Sequence, residues 1–93
     1  MRKKINGNNE QLLIANIRSG GVDQERAMSD LFKSYYAFIG MGKGRFNLSE
    51  DQSLQAYSDT LLSFRRQVIQ GKFRGDSKIK TYLFRIFSNK CVD

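Results

Sequence analysis

Lys78, Thr81, Arg85, Ser88 and Asn89 recur at helical spacing near the end of the chain, so a helix would carry them on one face. Such a face offers cations to phosphate oxygens and hydrogen-bonding groups to base edges. Lys78 and Lys80 also stand in what reads as the first turn of that helix. Positive charge there opposes the helix dipole, at a cost of a few tenths to ~1 kcal/mol each. Departures from local rules of this kind gather at functional sites. Tyr82 falls between the polar face and the apolar stripe Ile79, Leu83, Ile86. From there its ring could stack on an unpaired base while its hydroxyl stays wet. The plainer alternative is a solvated polar face with Tyr82 in the core margin, and residue chemistry alone leaves both open.

No catalytic constellation accompanies this face. The chain has no His, and its one Cys, Cys91, has no evident base. The carboxylates are sparse and scattered, so neither a metal site nor an acid–base pair is expected. The reading is a binding protein, not an enzyme, with no cofactor. The run GMGKGRF at 40–46 has the glycines of a phosphate loop but lacks the preceding strand and the Ser or Thr after Lys43. It reads as a glycine-rich helix end.

The 93 residues suit one domain, 40% of them apolar, with seven Phe and four Tyr to fill a core. There is no Pro to interrupt a helix. A single Cys suits a reducing compartment. The basic start, MRKK, is followed by polar residues where a signal peptide needs an apolar stretch, and no apolar run approaches the ~18 residues of a membrane span. The expectation is a cytoplasmic protein with no membrane partner. The net charge of +7 is unevenly spread: residues 1–4 carry three cations, residues 5–60 five cations against seven acids, and residues 61–93 eight cations against Asp76 and Asp93. A basic C-terminal third beside a slightly acidic body is the footprint of a phosphate-backbone contact, or of a solubilising surface.

The elements that must position these residues read as helices throughout, with no period-two alternation and no internal repeat. In the first, Asn8 and Gln11 are spaced as a cap pair, Leu12, Leu13 and Ile17 form an apolar patch, and Gly20-Gly21 ends it. The second opens near Asp23 and carries Ala27, Leu31, Tyr35, Phe38 and Phe46 on one side; Gly40, Gly42 and Gly44 weaken its last turns or let them pack closely. The third opens with a capping box, Ser49 and Gln52, and with Glu50 and Asp51 in its first turn. Leu54, Tyr57, Leu61, Phe64 and Val68 form its stripe and Gly71 closes it. A connector, GKFRGDSK, leads to the fourth, which begins around Asp76 or Ser77, faces Ile79, Leu83 and Ile86 inward, and leaves Phe87 at the margin. The fold expected is all-α, a compact bundle of about four helices in a single domain over 1–93.

The third helix has an offset ridge: Gln55, Ser58, Asp59, Leu62, Arg66 and Ile69. Apolar Leu62 and Ile69 among polar neighbours suit a protein–protein surface with a mixed rim. In so short a bundle, the expectation from the residues is that they widen the core stripe against the first or second helix.

The run FRGDSKIKTYLFRIFSNKCVD (73–93) resembles region two of the extracytoplasmic-function RNA polymerase sigma factors. Phe73, Gly75, Asp76, Ser77, Thr81, Tyr82, Leu83, Phe84, Arg85, Ile86 and Asn89 stand in the order that family shows. ERAMSDLFKSYYAFI (25–39) is similar to the family's first helix, and the resemblance extends over about residues 10–93. It implies a transcription initiation domain with two partners. The third helix, through Gln55, Ser58, Asp59, Leu62 and Arg66, would dock on the β′ clamp helices of core RNA polymerase. The connector and last helix, through Arg74, Asp76, Ser77, Lys78, Lys80, Thr81, Tyr82, Arg85, Asn89 and Lys90, would recognise and melt the promoter minus-ten element and hold its non-template strand. Gln55 and Ser58 stand where the family usually has Asp and Gln, and Phe87 is bulkier than the small residue usual there. The resemblance also implies an anti-sigma protein as partner, and a continuation past Asp93 into a region-four helix-turn-helix domain absent from this chain. The rival readings are a basic helical nucleic-acid-binding module that never meets polymerase, and a protein-interaction module.

Overall fold

The computed structural model describes residues 7–92, in five helices and no strands: α1 (Gly7–Ser19), α2 (Gly21–Ser34), α3 (Phe38–Arg45), α4 (Glu50–Ile69) and α5 (Ile79–Val92). The expected basic cluster at 1–4, the side chain of Asn8 with its cap pairing to Gln11, and Asp93 lie outside the described residues.

The all-helical class is as expected, with one helix more. The segment read as a single second helix breaks at 35–37 into α2 and α3. No Pro or Gly marks the break. It is made from outside by Tyr57, fully buried on α4, whose hydroxyl donates to the carbonyls of Phe32 at 2.8 Å and Leu31 at 3.1 Å. Both lie in the last turn of α2: Leu31 also keeps the Tyr35 amide at 3.1 Å, whereas Phe32 is one of the carbonyls a helix end leaves without a backbone partner. The amides of Phe38 and Ile39 turn instead to Tyr35 and Tyr36, three residues back. Burial pushes the Tyr57 phenol far above its usual range, so it remains a donor. Tyr57→Phe should cost about 1–2 kcal/mol, since it leaves the part-buried Phe32 carbonyl without its donor. Chemical denaturation reads this directly, and an unchanged midpoint would show that α2 ends without Tyr57.

α4 runs through the middle and packs against each of the other four helices. Its capping box forms as read: the Gln52 amide donates to Ser49 Oγ (3.1 Å) and the Ser49 amide to Gln52 Oε1 (2.9 Å). Its end is a Schellman turn, with Gly71 at φ 77° and the amides of Gly71 and Lys72 returning to Val68 and Gln67. The stripe Tyr57, Leu61, Phe64, Val68 is buried, but Leu54 is exposed and Ser53, Ala56, Thr60 and Ser63 take the inner positions instead. Small residues there let α3 approach: a Cβ on Gly42 would run into the Ser53 side chain and come within 3.2 Å of Phe87 Cζ, while Ser53 Oγ donates to the Ile39 carbonyl at 2.6 Å. Of the three glycines in α3, Gly42 is therefore the one that close packing requires, while Gly40 and Gly44 face open space. In α1 the buried residues are Leu13, Ile14 and Ile17, and Leu12 points outward.

α4 and α5 lie antiparallel, joined by two groups of rings. At one end Phe87 packs on Phe38 (5.4 Å between ring centroids), Phe46 (6.3 Å) and Tyr57 (6.4 Å). At the other, Phe73 from the connector packs on Phe64 (5.2 Å) and Tyr82 (4.5 Å). The expected inward stripe of α5 is thereby corrected: Phe87, not Ile86, is the fully buried third member after Ile79 and Leu83, and Ile86 is half-buried.

Candidate nucleic-acid and protein interface

α5 begins at Ile79, later than Asp76 or Ser77, so Lys78 precedes the helix and only its carbonyl takes part, accepting the Tyr82 amide at 3.1 Å. α5 has no acid in its first turn. The compensating carboxylate arrives from α1: Glu10 Oε1 accepts the Ile79 amide at 3.2 Å, across 69 positions of sequence. That contact supplies both a partner for an orphan N–H and a negative charge at the positive end of the dipole. The local violation seen in sequence at Lys78 and Lys80 is thus answered by a tertiary cap.

Thr81, Arg85 and Asn89 are exposed and Ser88 half-buried, all opposite Ile79, Leu83 and Phe87. Lys78 continues this face into the connector. Lys80 and Lys90 do not belong to it. Each lies five positions from Arg85, about 140° round the helix in opposite senses, although both are exposed. Arg74 and Asp76 are exposed in the connector and Ser77 is half-buried. Among the described residues, none of Arg74, Lys78, Lys80, Arg85 and Lys90 is paired with a carboxylate, so their charges stand ready for an anionic partner.

Tyr82 is half-buried, and its hydroxyl is committed within the fold. It hydrogen-bonds Gln67 Oε1, and its ring is held between Phe73 and the α4 residue Phe64 (centroids 4.5 and 6.0 Å). The side chain pins the connector to α4, and only its outer part remains for a ligand.

A shallow groove of about 370 Å³ separates the connector from the start of α1, lined by Glu10, Gln11, Gly75, Asp76, Ser77 and Lys78. Gly75 adopts φ 87°, a left-handed conformation that favours glycine, and a Cβ there would come within 2.7 Å of Gln11 Nε2. Arg18 holds the connector nearer α4. Its Nε donates to the Val68 carbonyl (3.2 Å) and its terminal nitrogen to the Phe73 carbonyl (3.4 Å), placing a cation at the C-terminal end of α4. Sequence reasoning missed Glu10, Gln11 and Arg18, because nothing in a local window couples them to residues 50 or more positions away. It also missed Arg45, which α3 lays over the Phe84 ring at 5.7 Å, adding a cation beside α5.

The α4 ridge faces away from the core. Gln55 and Arg66 are exposed, Ser58 and Asp59 half-buried, and Leu62 and Ile69 stand 49% and 54% exposed. The expectation that they widen the core stripe is overturned: they lie opposite Ala56, Thr60 and Phe64, and no helix among the described residues covers them. Gln55 Nε2 donates to Asp59 Oδ1 at 3.0 Å.

Among the described residues no three His, Cys, Asp or Glu side chains come together as a metal site, and no helix is long and apolar enough to cross a membrane. Burial raises the Cys91 thiol above its usual range, which lowers its nucleophilic fraction. No family model, curated protein or solved structure matches the chain.

Proposed function

We propose that the chain is a sigma-type transcription initiation domain, docking on core RNA polymerase through the α4 ridge and gripping unpaired promoter strand with the connector and α5. The observation that carries this reading is the pair of outward faces on two antiparallel helices. One holds unpaired cations and hydrogen-bonding groups; the other is polar with two exposed aliphatic side chains. The order of residues from Phe73 to Asn89, similar to sigma region two, supports it. Arg74, Lys78 and Arg85 would neutralise phosphates, while Thr81 and Asn89 offer donors and acceptors to bases. Lys80, Lys90 and Arg45 would reach phosphates at the flanks. Extruding a base costs a few kcal/mol, so a domain this small would need polymerase to hold the rest of the duplex. The site of action in this reading is the cytoplasm, and the work is binding without catalysis.

Calorimetry against core RNA polymerase, or against a β′ clamp-helix fragment, tests the reading. The parent chain should bind, and Leu62→Asp with Ile69→Asp should weaken that binding by at least tenfold, since each change places an unpaired carboxylate in the apolar part of the interface, where desolvating a charge without a partner costs several kcal/mol. Single-strand DNA binding should stay within about twofold, because no phosphate contact is altered. Absence of binding by the folded parent chain would overturn polymerase docking. A nucleic-acid-binding module without polymerase is the second reading, favoured by the Gln55–Asp59 hydrogen bond, which commits two ridge side chains to each other.

A further inference from the structure

The connector at 70–78 has little regular structure, yet α1 holds it at several points. Glu10 takes the Ile79 amide where the connector enters α5. Arg18 takes the carbonyls of Val68 and Phe73 where it leaves α4. Between them Gln11 lies against Gly75, whose left-handed backbone makes the turn. Glu10 and Arg18 stand two helical turns apart on α1, so one rigid element spans both ends of the connector.

We infer that α1 is a clasp that presets the connector, and that Glu10 and Arg18 are positioning residues for strand binding through Arg74, Asp76, Ser77 and Lys78. The binding consequence rests on the function proposed above; the clasp itself does not. A connector already in its binding conformation adds no conformational term to affinity. One that is only fractionally in that conformation weakens affinity by the same fraction.

Charge makes the prediction discriminating. Glu10 is an acid beside a basic surface, so if it acted only through its charge, Glu10→Ala would tighten binding to an anionic strand. A clasp requires the reverse. The Ile79 amide is the first of α5 and has no partner within the helix, so its exchange with solvent reports the Glu10 contact directly.

The experiment is amide hydrogen exchange by NMR on the whole chain, with anisotropy titration of a fluorescent single-stranded oligonucleotide at fixed salt, for the parent, Glu10→Ala, Glu10→Gln and Arg18→Ala. In Glu10→Ala, exchange at Ile79 and through 74–78 should rise on the order of tenfold while Leu61 and Phe64 stay within about twofold. Oligonucleotide affinity should fall about fivefold despite the lost negative charge. Glu10→Gln, which keeps a carbonyl acceptor, should recover most of both, and Arg18→Ala should raise exchange at Phe73 and its neighbours. Unchanged exchange at Ile79 in Glu10→Ala would overturn the clasp, and tighter binding would overturn its positioning role. A parent chain that binds no oligonucleotide would refute the proposed function and with it the positioning role, while the exchange result would still decide the clasp.

Discussion

Phe87→Ala should remove about 3–5 kcal/mol of stability, the range for emptying a fully buried aromatic site. Small domains typically hold about 5–15 kcal/mol in total, so this one change could approach the whole margin. The reason is position. Phe87 has no exposed surface and meets rings from α3, the α3–α4 linkage and α4: Phe38 at 5.4 Å, Phe46 at 6.3 Å and Tyr57 at 6.4 Å. It also sits against Gly42, where α3 comes close enough to exclude any side chain. Removing the ring leaves a cavity that three elements would have to close together. Urea denaturation followed by circular dichroism measures the loss. A change below about 1 kcal/mol would mean that the site collapses freely and that Phe87 is a marginal residue after all.

The second large effect concerns the charged face. Lys78→Glu with Arg85→Glu should weaken single-strand binding by tenfold or more and lower the slope of log affinity against log salt by about 1.5, since each phosphate-neutralising cation contributes about 0.7–0.9. Both side chains are exposed and unpaired with any carboxylate among the described residues. The fold should therefore be nearly indifferent to the change, as surface substitutions usually are. Anisotropy titrations at several salt concentrations supply both numbers. Unaltered binding would identify the basic face as merely solubilising and favour a protein-interaction module. Lost affinity with an unaltered slope would mean that these two cations act through local structure and not on phosphates.

The parts of this protein legible in sequence are those governed by neighbours three or four positions apart. The Ser49–Gln52 capping box, the closing Gly71, the inward set Tyr57, Leu61, Phe64 and Val68, and the outward set Thr81, Arg85 and Asn89 all follow from helical period and cap chemistry. These interactions are local, so a short window contains both partners. The all-helical class followed from the same periodicity.

What only the tertiary structure decided lies where the second partner is distant. α2 ends at Ser34 where a buried hydroxyl from α4 takes the Phe32 carbonyl in its last turn, and no Pro or Gly stands at the break. Leu62 and Ile69 are exposed because no helix among the described residues crosses that side of α4, a matter of packing that an apolar residue type cannot announce. Tyr82 reads as an aromatic at the edge of a binding face, and becomes a pin once Phe73 and Gln67 close on it. Lys78 and Lys80 read as an unexplained charge at a helix start until Glu10 arrives across 69 positions. An amino-acid sequence determines which backbone and side-chain groups will need partners; only the folded chain, by bringing distant segments within about 3 Å, decides which groups meet them.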